Sequence, residues 1–422
     1  MITQIEALNF RCLRALSQSM GPFHVLVGPN ASGKTTFLDT VAFLGRLVSD
    51  GLDAALDERT RNFQDLVWNR RGDAFELALE LRIPDRLREA LKRPKLDTIR
   101  YEIALGIDPE TRQVAFRSES AILKTEAAGR FTTGQRRLFP SLRRPPQTLV
   151  GRLKRTQETR MVLNKVPGGN DNFYSETYEA KGKGWVPSFK LGPRRSALGN
   201  LPEDESKLPV ATWMKNLLGT GVQQLTLNSA RLRQASPPGK ARTFEADGSN
   251  LPWIVADLER RDPERLQGWI THLKTALPDL ETIRTVERPD DRHRYLMLGY
   301  RGGLEVPSWM VSDGTLRLLA LTLPAYLPNF AGIYLIEEPE NGIHPRAVET
   351  LFQSLSSVYD AQILLATHSP VVLSIVDPDQ LLCFAKTSEG ATDVILGSEH
   401  PALQEWRGET NLGVLFASGV LG

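Results

Sequence analysis

Cysteine is nearly absent: Cys12 and Cys383 are the two in 422 residues. Two thiols so far apart support neither a disulfide framework nor a cysteine metal site, and they fit a reducing cytoplasm. Long apolar runs are missing as well. The most apolar stretch, 316–327, carries Arg317 and Pro324 and falls short of the ~20 consecutive apolar residues that a membrane-spanning helix requires. The N-terminus lacks a basic start followed by an apolar run. Instead Met1 to Phe10 alternates apolar and polar residues like a half-buried strand, so we expect no export. No heptad run is long enough for a coiled-coil arm, and there is no internal repeat. A large net charge is also lacking, the formal value being +2.

That small total hides an asymmetry. Between Lys124 and Arg195 stand 16 Lys/Arg against 5 Asp/Glu, an excess of +11 that leaves the rest of the chain at about −9. Such a segment suits a phosphate backbone, or equally a solvated insert whose arginines meet acidic surface elsewhere.

What is present fits a globular protein. Hydrophobic residues make up 41% and charged residues 24%, and a length prior of ~150 residues per domain suggests about two or three domains. The pattern predicts strands at 2–10, 16–20 and 23–27, then a glycine-containing loop and a helix from Lys34 to about Leu47, the entry of an α/β domain. Further strands are expected at 75–83, 101–106 and 114–122, with a turn at Asp108-Pro109-Glu110-Thr111. From Lys124 to about Leu225 periodicity weakens amid Arg, Lys, Gly and Pro, as in Arg143-Arg144-Pro145-Pro146, which reads as an insertion. A helical pattern then runs over 251–277, followed by strands at 280–286 and 294–300. Helix 315–327, strand 333–336, helix 345–358, strand 362–366 and strand 381–385 complete a parallel-sheet succession. The domain reading is therefore 1–123, an inserted basic segment 124–243, and 244–422.

The sharpest motif is Gly28-Pro29-Asn30-Ala31-Ser32-Gly33-Lys34-Thr35, a G-x-x-x-x-G-K-[ST] loop where a strand gives way to a helix. Backbone N–H groups in such a loop surround phosphates, Lys34 reaches the β- and γ-phosphates, and the Thr35 hydroxyl ligates Mg²⁺. A plain glycine turn would not require Lys34 and Thr35 at those positions. The carboxylate partner such a loop needs is offered by Ile333-Tyr334-Leu335-Ile336-Glu337-Glu338, an apolar strand ending in two acids. Glu337 is placed to hold Mg²⁺, through water, and Glu338 to orient and deprotonate the attacking water. Val311-Ser312-Asp313-Gly314-Thr315 precedes an apolar helix about twenty residues before that strand. It reads as a signature segment or as an ordinary helix cap. Leu364-Leu365-Ala366-Thr367-His368-Ser369 sets a histidine at the end of the next strand, where it could contact a γ-phosphate.

On Ser312 to Thr315, Glu-Glu-Pro-Glu-Asn-Gly-Ile-His-Pro at 337–345 and Ala-Thr-His-Ser-Pro at 366–370, the chain resembles the ABC-ATPase superfamily. Within it the resemblance is to the branch of overcoming-lysogenization-defect (OLD) nucleases and stand-alone defence ATPases. It covers roughly residues 1–83 and 244–422. It implies an α/β fold: an ABC-ATPase head, a P-loop domain with a mixed β-sheet flanked by helices, here with an inserted basic, partly helical subdomain. It also implies ATP on Gly28, Pro29, Asn30, Ala31, Ser32, Gly33, Lys34, Thr35 and Thr36 of one subunit. Ser312, Asp313 and Gly314 of a second copy would clamp the γ-phosphate in a head-to-tail homodimer, and higher oligomers are open. Lys34, Glu338 and His368 would be catalytic, while Thr35, Gln64 of a Q-loop-like Phe63-Gln64-Asp65 and Glu337 would serve Mg²⁺. Asn341 to His344 would form the D-loop.

The absence of coiled-coil arms argues against structural-maintenance-of-chromosomes proteins. A TOPRIM nuclease domain has too little chain after Glu338, and the Asp-Gly-Thr signature differs from the Leu-Ser-Gly-Gly-Gln of transporter ATPases. Two roles remain. One is an ATP-gated dimeric sensor that regulates an effector in trans, such as a TOPRIM or other nuclease, in anti-phage defence or DNA maintenance. The other is an ATPase acting directly on DNA through the 124–200 basic segment.

Overall fold

The computed structural model describes residues 1–127, 138–142, 144–151, 156–177, 187–239 and 243–405. These form two compact units, residues 1–222 with 378–405, and residues 223–377.

The first unit is built on an eight-stranded antiparallel sheet. Its strands, in order across the sheet, are Leu13–Ser19, Ile2–Phe10, Ala74–Arg82, Thr98–Ile107, Val114–Lys124, Thr159–Lys165, Asp171–Phe173 and Ser188–Phe189. Successive side chains point to opposite faces of a strand. Leu77, Leu79, Leu81, Ile99, Tyr101 and Ile103 therefore share one face and are completely buried, each aliphatic chain contributing about 1.5–3 kcal/mol relative to exposure. The other face buries charge. The Arg100 guanidinium lies 2.6 Å from Glu6, 2.8 Å from Glu102 and 3.2 Å from Glu80, and Lys124 Nζ donates to both Glu80 oxygens at 2.8 Å. Burial alone would pull the guanidinium pKa down; the three carboxylates outweigh it and push it up.

The same unit holds the P-loop strand Phe23–Val27, all five residues buried. It runs parallel to Leu381–Lys386, which pairs antiparallel with Thr392–Leu396. Helix Lys34–Asp50 follows the loop, and its apolar positions Phe37, Leu38, Val41, Leu44, Leu47 and Val48 recur at helical spacing and are buried. Phe43 of that helix joins Phe10 and Phe75 of the sheet at centroid distances of 5.9 and 5.7 Å, and Phe63 stacks on Phe75 at 5.5 Å. Helix Pro209–Thr220 packs against helix Lys34–Asp50. The approach is close enough that a Cβ on Gly45 would lie 2.8 Å from the Leu218 carbonyl oxygen. The buried Glu176 carboxylate accepts the N–H groups of Val210 and Ala211 at 2.6 and 2.9 Å, capping that second helix.

In the second unit, strands Gly332–Glu337 and Ala361–Ala366 pair in parallel, with helix Pro345–Ser356 between them in sequence. A three-stranded antiparallel sheet, Leu280–Glu287, Arg294–Tyr300 and Leu304–Pro307, precedes helix Asp313–Thr322.

Several expected elements change. The helical pattern of 251–277 is two helices, Leu251–Arg261 and Pro263–Leu273, because Pro263 lacks the N–H to continue the first and Asp262 caps the second through the Arg265 N–H. The helix expected over 315–327 starts at Asp313 and gives way to a 3-10 turn, Leu323–Tyr326, where Pro324 interrupts the α-pattern. Within the 124–243 segment, strands Thr159–Lys165, Asp171–Phe173 and Ser188–Phe189 extend the large sheet. Among the described residues, no helix is long and apolar enough to cross a membrane.

Candidate functional site

In the first unit, the 28–35 loop adopts backbone conformations that an ordinary side chain would resist. Gly28 has φ 147° and Gly33 φ 108°. A Cβ on Gly28 would lie 2.3 Å from the Phe384 carbonyl oxygen, and one on Gly33 would lie 2.3 Å from Thr392 Oγ1. Ala31 is left-handed at φ 60°. Helix Lys34–Asp50 starts at Gly33 with no side-chain cap. Lys34 is buried and its Nζ donates to the carbonyls of Gly28 and Pro29 at 2.8 and 3.1 Å. Ser32 is buried and its Oγ has no hydrogen-bond partner. Pro29, Asn30, Ala31 and Thr35 are exposed and Thr36 is half-buried. An orphaned hydroxyl, an uncapped helix start and a loop without room for Cβ atoms fit an anionic phosphate chain. Gln64 is exposed on the 3-10 turn Phe63–Leu66, which Phe63 anchors through its stack on Phe75.

In the second unit, the four apolar residues Ile333 to Ile336 are buried and carry Glu337, half-buried, and Glu338, exposed, at the strand's end. Glu338 sits at φ 46°, a left-handed conformation costly for a non-glycine residue and common at functional sites. Its N–H donates to the Ala366 carbonyl at 2.8 Å, and its carboxylate accepts from Asn341 Nδ2. His368 Nε2 stands 4.0 Å from Glu338 Oε1. Gln224 Nε2 is 3.5 Å from Glu337 Oε1. A cavity of about 240 Å³ opens beside both acids, walled by Leu225, Leu321, Ile336 and Pro339 with Arg317 at its polar side.

Ser312 caps helix Asp313–Thr322, its Oγ accepting the Thr315 N–H at 3.2 Å. It is thus a helix cap, and it is also exposed, as is Asp313; Gly314 is half-buried. Arg233 pairs with Asp313 at 2.6 Å. A Cβ on Gly314 would meet the Gly342 carbonyl oxygen at 2.4 Å, so the 341–344 turn packs directly on the start of this helix.

Sequence reasoning overlooked Glu340, the third acid of Glu-Glu-Pro-Glu. Its Oε1 accepts from the Thr367 hydroxyl and, at 3.2 Å, from the His368 N–H, while its Oε2 is buried without a partner. The third acid in that phrase was the available signal. Among the basic residues of 124–200, Lys124 and Lys165 are buried in ion pairs with Glu80 and Asp171. Arg160 donates to the Ser175 carbonyl and Arg194 pairs with Asp53. Residues 128–137, 143, 152–155 and 178–186 of that segment lie outside the described residues.

The family model described as "AAA domain, putative AbiEii toxin, Type IV TA system" matches residues 23–86 and 219–374. No curated protein matches the chain. Among solved structures, the SmcHead bound to the C-winged helix domain of ScpA is similar at 13% identity and TM-score 0.54, covering 93% of this chain and 97% of that one. The Smc head domain with an extended coiled coil bound to the C-terminal domain of ScpA, from Pyrococcus furiosus, is similar at 13% identity and TM-score 0.52. It covers 96% of this chain and 99% of that one. At this identity the likeness concerns the fold, which is a mixed α/β P-loop fold of the ABC type.

Proposed function

The chain belongs to the AbiEii-type AAA-domain family, and from that membership we propose that it binds MgATP on residues 28–36 and hydrolyses it with Glu338 as the base. The loop carries this reading. Its partnerless Ser32 hydroxyl, uncapped helix start and crowded glycines together suit a phosphate chain. Lys34, resting on the carbonyls of Gly28 and Pro29, would exchange them for phosphate oxygens. Bound Mg²⁺ supplies neutralisation of charge on the transferring phosphoryl group. Thr35, Glu337 and Gln64 are the residues we assign to it, by their positions in the motifs. Glu338 orients water and takes its proton, steadied by Asn341, and His368 serves the γ-phosphate.

The active form in this reading is a head-to-tail homodimer in which Ser312 and Gly314 of one copy meet the nucleotide of the other, as in the OLD-like branch. Exposure of Ser312 and Asp313 supports it. ATP binding closes the dimer and hydrolysis opens it. We assign this cycle to regulation of an effector protein in trans, a nuclease for instance, in phage defence or DNA maintenance. A family description that names a toxin of a type IV system, and Smc heads bound to ScpA domains, both favour a partnered role. Among the described basic residues of 124–200, Lys124, Arg160, Lys165 and Arg194 are engaged internally while Arg144, Lys190 and Arg195 are exposed; direct action on DNA through that segment is the second reading.

Glu338→Gln tests the assignment. The variant should keep ATP affinity, lose nearly all turnover and accumulate as a dimer with ATP in size-exclusion chromatography with light scattering. Unimpaired hydrolysis removes Glu338 as base, and a monomer in saturating ATP removes the paired site.

A further inference from the structure

The 28–35 loop is braced by a residue far away in sequence. The Thr392 hydroxyl donates to the Ser32 carbonyl at 2.8 Å, a buried bond spanning 360 positions. Thr392 is itself fixed, since its N–H donates to the Cys12 carbonyl at 2.9 Å and it opens strand Thr392–Leu396. Behind Gly33 the packing is tight: a Cβ there would lie 2.3 Å from Thr392 Oγ1 and 3.1 Å from Cys12 Sγ.

A trans peptide holds its C=O and the following N–H in one plane, pointing in opposite directions. Anchoring the Ser32 carbonyl on Thr392 therefore orients the Gly33 N–H away from it. The chain alone does not enforce that orientation, because glycine populates positive and negative φ with similar ease and lets the preceding peptide turn over. Without the hydroxyl, the Ser32 carbonyl would also be a buried acceptor lacking this partner, a cost that turning the peptide would relieve.

We propose that Thr392 is a positioning residue of the nucleotide site, locking the Ser32–Gly33 peptide so that the Gly33 N–H is presented to the phosphates. The inference rests on the reading of residues 28–36 as an ATP cradle and adds a residue that lies outside every nucleotide motif.

The test is calorimetric titration of ATP and of ADP, each with Mg²⁺, into the full chain and its Thr392→Val, Thr392→Ser and Thr392→Ala forms, with melting temperatures recorded alongside. Valine keeps the shape and removes the hydroxyl. Losing one hydrogen bond corresponds to about 2- to 10-fold weaker binding of both nucleotides. The proposal expects that loss in the valine and alanine forms, with serine restoring wild-type affinity at similar melting temperature. Wild-type affinity in both hydroxyl-free forms overturns it, as does a serine form as weak as the valine form, which would point to packing instead. A wild-type chain that binds neither nucleotide defeats the ATP reading itself, and the inference falls with it.

Discussion

Replacing Glu176 with glutamine removes a titrating group from the wall behind the P-loop helix. The carboxylate is 0% exposed and caps helix Pro209–Thr220 through the Val210 and Ala211 N–H groups. Burial pushes its pKa up from 4.5 to about 7, against the opposing pull of those N–H donors and Arg160. An acid with a raised folded pKa binds more protons folded than unfolded over that interval. Its contribution to stability is therefore fully present below about pH 4.5 and is lost as pH rises through about 7. At about 1.4 kcal/mol per pKa unit, the change amounts to roughly 3 kcal/mol. That is on the order of 6–12 °C in melting temperature for a unit of this size. Thermal unfolding of wild type and Glu176→Gln between pH 4.5 and 8 reads it as a difference of slopes, in which other titrating groups cancel. The buried Glu119 is also raised, chiefly by burial, and keeps its own contribution in both proteins. The gap between wild type and variant should shift by that amount across the window, with wild type losing stability relative to the variant as pH rises. A gap that stays constant refutes the reasoning.

Arg100→Met removes the guanidinium from Glu6, Glu80 and Glu102 and should cost about 3–5 kcal/mol in urea unfolding at pH 7, because buried carboxylates lose their main counter-charge. For the DNA-binding alternative, an affinity that falls steeply between low and moderate salt would mark direct phosphate contacts by the 124–200 segment. The regulatory reading expects weak binding with little salt dependence.

The site was most legible where its chemistry is contiguous. Strand, loop and helix from Phe23 through the P-loop lie in one local run, so motif and periodicity fix each other, and strand Phe23–Val27 has the expected bounds. Strand Arg294–Tyr300 also has the expected bounds. Short elements were less legible. Asp171–Phe173 and Ser188–Phe189 are too brief to show alternation, and they exist because the edge of a long sheet offers partners. Helix Pro209–Thr220 is bracketed by Pro209 and Gly221, but it lies inside the stretch read as an irregular insertion, and it is secured by Glu176, over thirty residues upstream. The break at Asp262-Pro263 was overlooked because the apolar spacing carries through it. The Thr392–Ser32 bond has no signal in spacing at all, since it depends on how the last strands return to the first. Glu340 was hidden by its neighbours, two acids having already filled the expected roles.

The central claim, that residues 28–36 form an ATP cradle, is tested most directly by titrating MgATP into the wild-type chain and into Lys34→Ala. The account predicts saturable binding that weakens by about 30- to 1,000-fold in the variant, the equivalent of roughly 2–4 kcal/mol for a preorganised charge contact. Equal affinity in the two proteins, or no binding by the wild type, would contradict it.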